Sequence, residues 1–169
     1  MLEEIQPAGV PLWAFLGNPV FLSSLVSLVA AQVLKAVVYA VAGRVRGPGE
    51  ILGIVAWRTG GMPSSHAAVV CALCASIAIA EGMSSNVFVL SFWFALIVLR
   101  DSMGVRRTTG LSTRALNVFG KKASEKLGLD FDAVKEVQGH TPIEVVMGGI
   151  LGILIAAAVA LALSPPVAF

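Results

Sequence analysis

The chain has 169 residues, of which 57% are hydrophobic and 13% charged. A soluble domain of this size leaves much of its surface in water and cannot hide that much apolar side chain, so a bilayer must supply part of the solvent. The mean hydropathy of +0.87 agrees, and a net charge of +2 gives no reason to expect a nucleic-acid partner.

Taken in chain order, the N-terminal tail carries Glu3 and Glu4 and lacks the basic stretch of a signal peptide. Four apolar stretches follow, at 20–42, 66–80, 87–99 and 145–163. The first and last have the roughly 20 residues that span a bilayer. The middle two reach that length only with their polar ends at the membrane rim, which gives expected spans of about 20–42, 64–81, 86–103 and 143–163. The short connector at 81–86 makes the second and third an antiparallel hairpin. Between the first two, 44–62 reads as a Gly-rich connection with a short interfacial helix at 50–57. The long polar segment, about 104–140, carries an amphipathic surface helix at 111–127. The expected fold class is all-α, a polytopic membrane helical bundle of about four spans forming a single membrane domain over 1–169. Cys71 and Cys74 form a CxxC without a second pair and read as small helix-packing residues.

The cations set the orientation. Of 12 Lys and Arg, eight lie between Arg100 and Lys135, and Arg44, Arg46 and Arg58 lie in the first connection. The positive-inside rule then puts both termini outside and both long loops in the cytoplasm. The expected location is a bacterial inner membrane.

Two polar clusters carry the chemistry. Gly60-Gly61-Met62-Pro63-Ser64-Ser65-His66 immediately precedes an apolar helix. Glycines let backbone approach a ligand, Ser64 and Ser65 add hydroxyls, and a helix start presents unpaired N–H groups; together these suit a phosphate, with His66 placed to protonate a departing oxygen. A plain Ser N-cap after a glycine turn is the alternative. The second cluster is Gly139-His140-Thr141-Pro142-Ile143-Glu144. A carboxylate four residues after a histidine can fix its tautomer and free the other nitrogen as nucleophile or base. The same letters also spell a capping box from Thr141 to Glu144 with Pro142 at the first helical position, and a carboxylate aimed at the Thr141 amide is less free for the imidazole.

Between the clusters lies Arg100-Asp101-Ser102-Met103-Gly104-Val105-Arg106-Arg107. An arginine pair there can clamp phosphate oxygens, with Asp101 orienting one of them, or can simply meet lipid headgroups at the rim. Lys35 sits inside an apolar span with Gln32 one turn earlier; it faces a polar cavity or snorkels to the interface. Together these residues are the kit for phosphoryl transfer through a phosphohistidine, without a metal or other cofactor.

These three segments resemble the divergent branch of the type 2 phosphatidic acid phosphatase superfamily, related to acid phosphatases and vanadium-dependent haloperoxidases. The resemblance runs from about Gln32 to Gly152. It implies that Pro63-Ser64-Ser65-His66 corresponds to the parent's Pro-Ser-Gly-His, with His66 as general acid and Ser64 and the Ser65 amide on the phosphate. It implies that His140 and Glu144 are the nucleophile and its orienting acid. Lys35 and Arg58 correspond more loosely to the parent's Lys and Arg-Pro, and Arg106 or Arg107 replaces the arginine that the parent carries close before its nucleophile. The departures are Ser65 for Gly, Glu144 for Asp, Thr59 where the parent has Pro, and an arginine far upstream of His140. Gly148-x-x-x-Gly152 lets a helix approach closely, within the chain or across a homodimer.

The expected function is hydrolysis of a lipid phosphomonoester or diphosphate, the partners being the bilayer and that phosphorylated lipid. The alternatives are a non-catalytic module binding anionic lipid headgroups, a vanadate-dependent peroxidase, and a small transporter or channel. The His140–Glu144 pair discriminates, since an enzyme needs it and a lipid-binding module needs only the cations.

Overall fold

The computed structural model describes residues 12–45, 47–57, 60–136 and 139–163, and these are all-helical, with no strand among them. A short 3-10 helix, Leu12–Gly17, leads into α1 (Pro19–Val41), followed by α2 (Pro48–Trp57), α3 (Ser65–Glu81), α4 (Asn86–Met103), α5 (Val105–Leu127) and α6 (Pro142–Leu163). The expected amphipathic helix at 111–127 starts earlier than its apolar pattern, because Gly104 breaks the chain direction and Val105 already continues the helix.

Local chemistry fixes the helix starts. Asn18 caps α1 by accepting from the Val20 amide at 2.8 Å, with Pro19 at the first helical position. Ser64 caps α3, accepting from the Ala67 amide at 3.3 Å, and Ser85 caps α4, accepting from the Phe88 amide at 3.1 Å. Gly82 ends α3 and opens the turn into α4.

Three helices, α1, α6 and the one beginning with α4, are long and apolar enough to cross a membrane, while α3 is apolar but has only 17 residues. At 1.5 Å per residue α3 is about 26 Å long, slightly less than the bilayer's apolar thickness. It packs against α6, α1 and α4, so it is the centre of the bundle.

The packing is that of helices in lipid. The buried face of α1 is Ser23, Ser27, Ala31, Lys35 and Ala36, and that of α3 is built on Ala67, Ala68, Ala72 and Ser76. Large side chains point outward, among them Leu90 at 72% and Leu161 at 78% exposure. Small residues inside and leucine outside is the distribution expected when lipid, which is as apolar as leucine, surrounds the bundle.

Gly148 and Gly152 belong to the contact of α6 with α3. A Cβ on Gly148 would strike the Ser64 carbonyl, and one on Gly152 the Ala68 carbonyl. The two glycines are therefore used within the chain, to bring α6 onto α3 backbone to backbone.

Candidate active site

The polar end of the bundle is assembled by main-chain bonds. The Ser64 amide donates to the Glu144 carbonyl at 3.0 Å, which joins the start of α3 to the start of α6. The His140 amide donates to the Ser102 carbonyl at 3.1 Å, which joins the approach to α6 to the end of α4. Gly61, at φ +81°, takes a conformation that side-chain-bearing residues rarely adopt, and a Cβ there would lie 2.9 Å from the Tyr39 hydroxyl. The glycine turn therefore lies against α1.

His140 is 2% exposed, and its Nδ1 lies 3.1 Å from Glu144 Oε2. The same Oε2 accepts from the Thr141 amide at 3.1 Å. The two roles that compete for this carboxylate in the sequence are both filled, because one carboxylate oxygen has two lone pairs to offer. The Thr141 hydroxyl is buried without a hydrogen-bond partner, so only the carboxylate half of the capping box is made. The arrangement leaves His140 Nε2 as the nitrogen not engaged by the acid.

His66 faces His140, their ring centroids 5.9 Å apart and their planes inclined at 66°. Its Nδ1 is buried without a hydrogen-bond partner. Among the described residues, Arg106, His140, Lys35 and Asp101 are near enough to act on it electrostatically. Lys35 is 0% exposed, so its charge is turned into the bundle and does not snorkel along the lipid-facing surface. Arg106 Nε lies 3.1 Å from Asp101 Oδ2, each side chain 45% exposed.

The structure thus gathers Lys35, His66, Asp101, Arg106, His140 and Glu144 at one end of the bundle. Arg107 parts from Arg106: it lines a separate polar cleft with Glu144 and Gly139, and a Cβ on Gly139 would meet the Arg107 backbone. Ser64 is 0% exposed, its hydroxyl oxygen used by the cap of α3 and its amide by α6. Ser65 is also buried, and its amide and that of His66 precede the first intrahelical bond. Arg58 lies outside the described residues, as does Arg46. Ser102 and Tyr39 also build the site, the first through its carbonyl and the second as the wall behind Gly61; Ser102 lies within the Arg100–Arg107 segment but has no side-chain role there, and no motif marks Tyr39.

A family model described as Divergent PAP2 family matches residues 16–155, a range that holds every one of the gathered side chains. The chain belongs to the Divergent PAP2 family. It is also 36% identical over 151 residues to the uncharacterized membrane protein YuiD of Bacillus subtilis (strain 168), covering 83% of this chain and 92% of that one. No solved structure matches it. The apolar helices and this relative make the chain an integral membrane, PAP2-like protein.

Proposed function

We propose that this Divergent PAP2 protein is a phosphatase that hydrolyses a lipid phosphomonoester or diphosphate through a phosphohistidine intermediate. The observation that carries the reading is the buried His140–Glu144 pair facing His66 across 5.9 Å, with Lys35 and Arg106 close by.

Lys35 and Arg106 hold the phosphate oxygens, Asp101 steadying Arg106, and the free amides at the start of α3 take another oxygen. His140 Nε2 attacks phosphorus as its Nδ1 proton stays with Glu144, and the bond from phosphorus to the leaving oxygen breaks. His66 gives that oxygen its proton. Water then attacks the phosphohistidine, the P–N bond breaks, and His66, now a base, takes a proton from that water. Rate acceleration comes chiefly from positioning and from charge aimed at the equatorial oxygens. Arg58 is the further cation that the family resemblance offers to the substrate; Arg107, which lines the separate cleft, takes no part in this step.

The test is phosphate release by detergent-purified protein with EDTA present. Phosphatidic acid, phosphatidylglycerophosphate and polyprenyl mono- and diphosphates form the panel, and His140→Ala is the control. Release by wild type that vanishes in the variant supports the reading. Release that persists in His140→Ala removes the nucleophile assignment, and no release from any substrate removes the enzyme.

We place the site on the cytoplasmic face with both termini outside, in a bacterial inner membrane. The support is the position of the cations in the long loops. Lys122→Cys should resist an impermeant thiol reagent in intact cells; labelling there reverses the orientation.

A further inference from the structure

Beside the histidine pair lies a second polar space, a cleft of about 480 Å³. Arg107 and Arg114, two turns apart on one face of α5, form one wall, and Arg44, just past the end of α1, forms another. Among the described residues none of these three arginines makes an ion pair. Three arginines from two separate segments thus line one space, and among the described residues no carboxylate is bonded to any of them.

Two further observations narrow what fits. First, the lining belongs to the membrane rim. Tyr39 and Arg44 flank the end of α1, Gly139 and Glu144 flank the start of α6, and α5 is the amphipathic helix. Tyr and Arg at that level stand where lipid phosphates lie. Second, Glu50 and Glu136 also line the cleft. They repel a bare polyanion but accept hydrogen bonds from hydroxyl groups. A single phosphate that carries a hydroxylated headgroup satisfies both sets of side chains.

We infer that this cleft binds the glycerol-phosphate headgroup of a neighbouring anionic phospholipid, as a site separate from the histidine pair. Arg44, Arg107 and Arg114 hold the phosphate oxygens, and Glu50 and Glu136 receive the glycerol hydroxyls. Glu144 lines the cleft while its Oε2 holds His140, which is itself buried, so the carboxylate stands between the two sites. The inference does not depend on catalysis, since it needs neither histidine.

The test is calorimetric titration of the full-length protein in neutral detergent. The probes are dihexanoyl phosphatidylglycerol, dihexanoyl phosphatidylcholine and inorganic phosphate. Wild type should bind the glycerol lipid about tenfold more tightly than the choline lipid. His140→Ala should keep that discrimination whether or not the protein is a phosphatase. Arg44→Gln with Arg114→Gln should abolish it; both side chains are exposed, so the fold should tolerate the change. Arg44→Lys with Arg114→Lys keeps the charge but loses the forked geometry and should weaken the glycerol lipid. Discrimination that survives the glutamine pair, or full affinity in the lysine pair, overturns the site. Inorganic phosphate displacing the glycerol lipid at equal concentration assigns the arginines to a free anion and overturns the lipid assignment.

Discussion

Helix α3, shorter than the three helices long enough to cross a membrane, packs against three neighbours, while α5 matches α1 in length and buries only Gly120. Each carries part of the candidate site. On α3, His66 follows a cap tied by main chain to α6, and the glycines of α6 press directly on the α3 backbone. On α5, Arg106 is held by one half-exposed ion pair. The rest of α5 is steadied by a polar segment, in which Asn117 exchanges hydrogen bonds of 2.8 and 2.9 Å with the Val134 backbone and Phe131 covers Gly120. Groups assigned to proton and phosphoryl transfer, and the buried Lys35, are thus fixed by close packing, and Arg106 by a contact that water can replace. For the proposed function that division is useful: histidines held by packing keep their geometry, while the half-exposed Arg106 can adjust to a ligand.

The largest expected effect is on turnover. His140→Ala should leave no measurable phosphate release while the protein elutes as wild type does on size exclusion. Glu144→Gln should keep the fold but lower kcat on the order of 10⁴-fold, the scale seen when a histidine loses the acid that sets its tautomer. A wild-type rate in that variant would reduce Glu144 to a helix cap.

Gly152→Leu attacks the packed side of the comparison. Its side chain would meet the Ala68 carbonyl and the Ala72 amide, and α6 would have to leave α3. A loss of about 3 kcal/mol is expected, read as a lower Tm in detergent. Unchanged stability would mean that the two helices are not held by this contact. Asp101→Asn tests the loose side and should have the smallest effect. An exposed ion pair contributes about 0.2–1 kcal/mol, so Tm should barely move, and KM should rise a few-fold with kcat nearly kept. A collapse of kcat would show that Arg106 is as firmly placed as the histidines.

Much of this arrangement could be read from the letters because its signals are local. The cap at Ser64, the acid four residues after His140 and the amphipathic run of α5 each lie within a few residues of what they control. The two readings of Glu144 could not be decided from sequence, since their compatibility depends on where one oxygen sits. Nor could the use of Gly148 and Gly152, whose partner lies about 80 residues upstream. The parting of Arg106 from Arg107 depends on how α5 leaves Gly104, and on Gly139 packing against the Arg107 backbone. The carbonyl of Ser102 carries no sequence mark at all, since every residue type has one.

That last point bears on how such a site can change over time. The bonds from Ser64 to Glu144 and from His140 to Ser102 join peptide groups. Exchanging one side chain for another leaves both peptide groups in place, and proline alone, at position 64 or 140, would remove a donor. Mutation can therefore rewrite the chemistry around the two histidines without first dismantling the frame that holds them together. A lineage built on such a frame can drift far in sequence and function while keeping its shape.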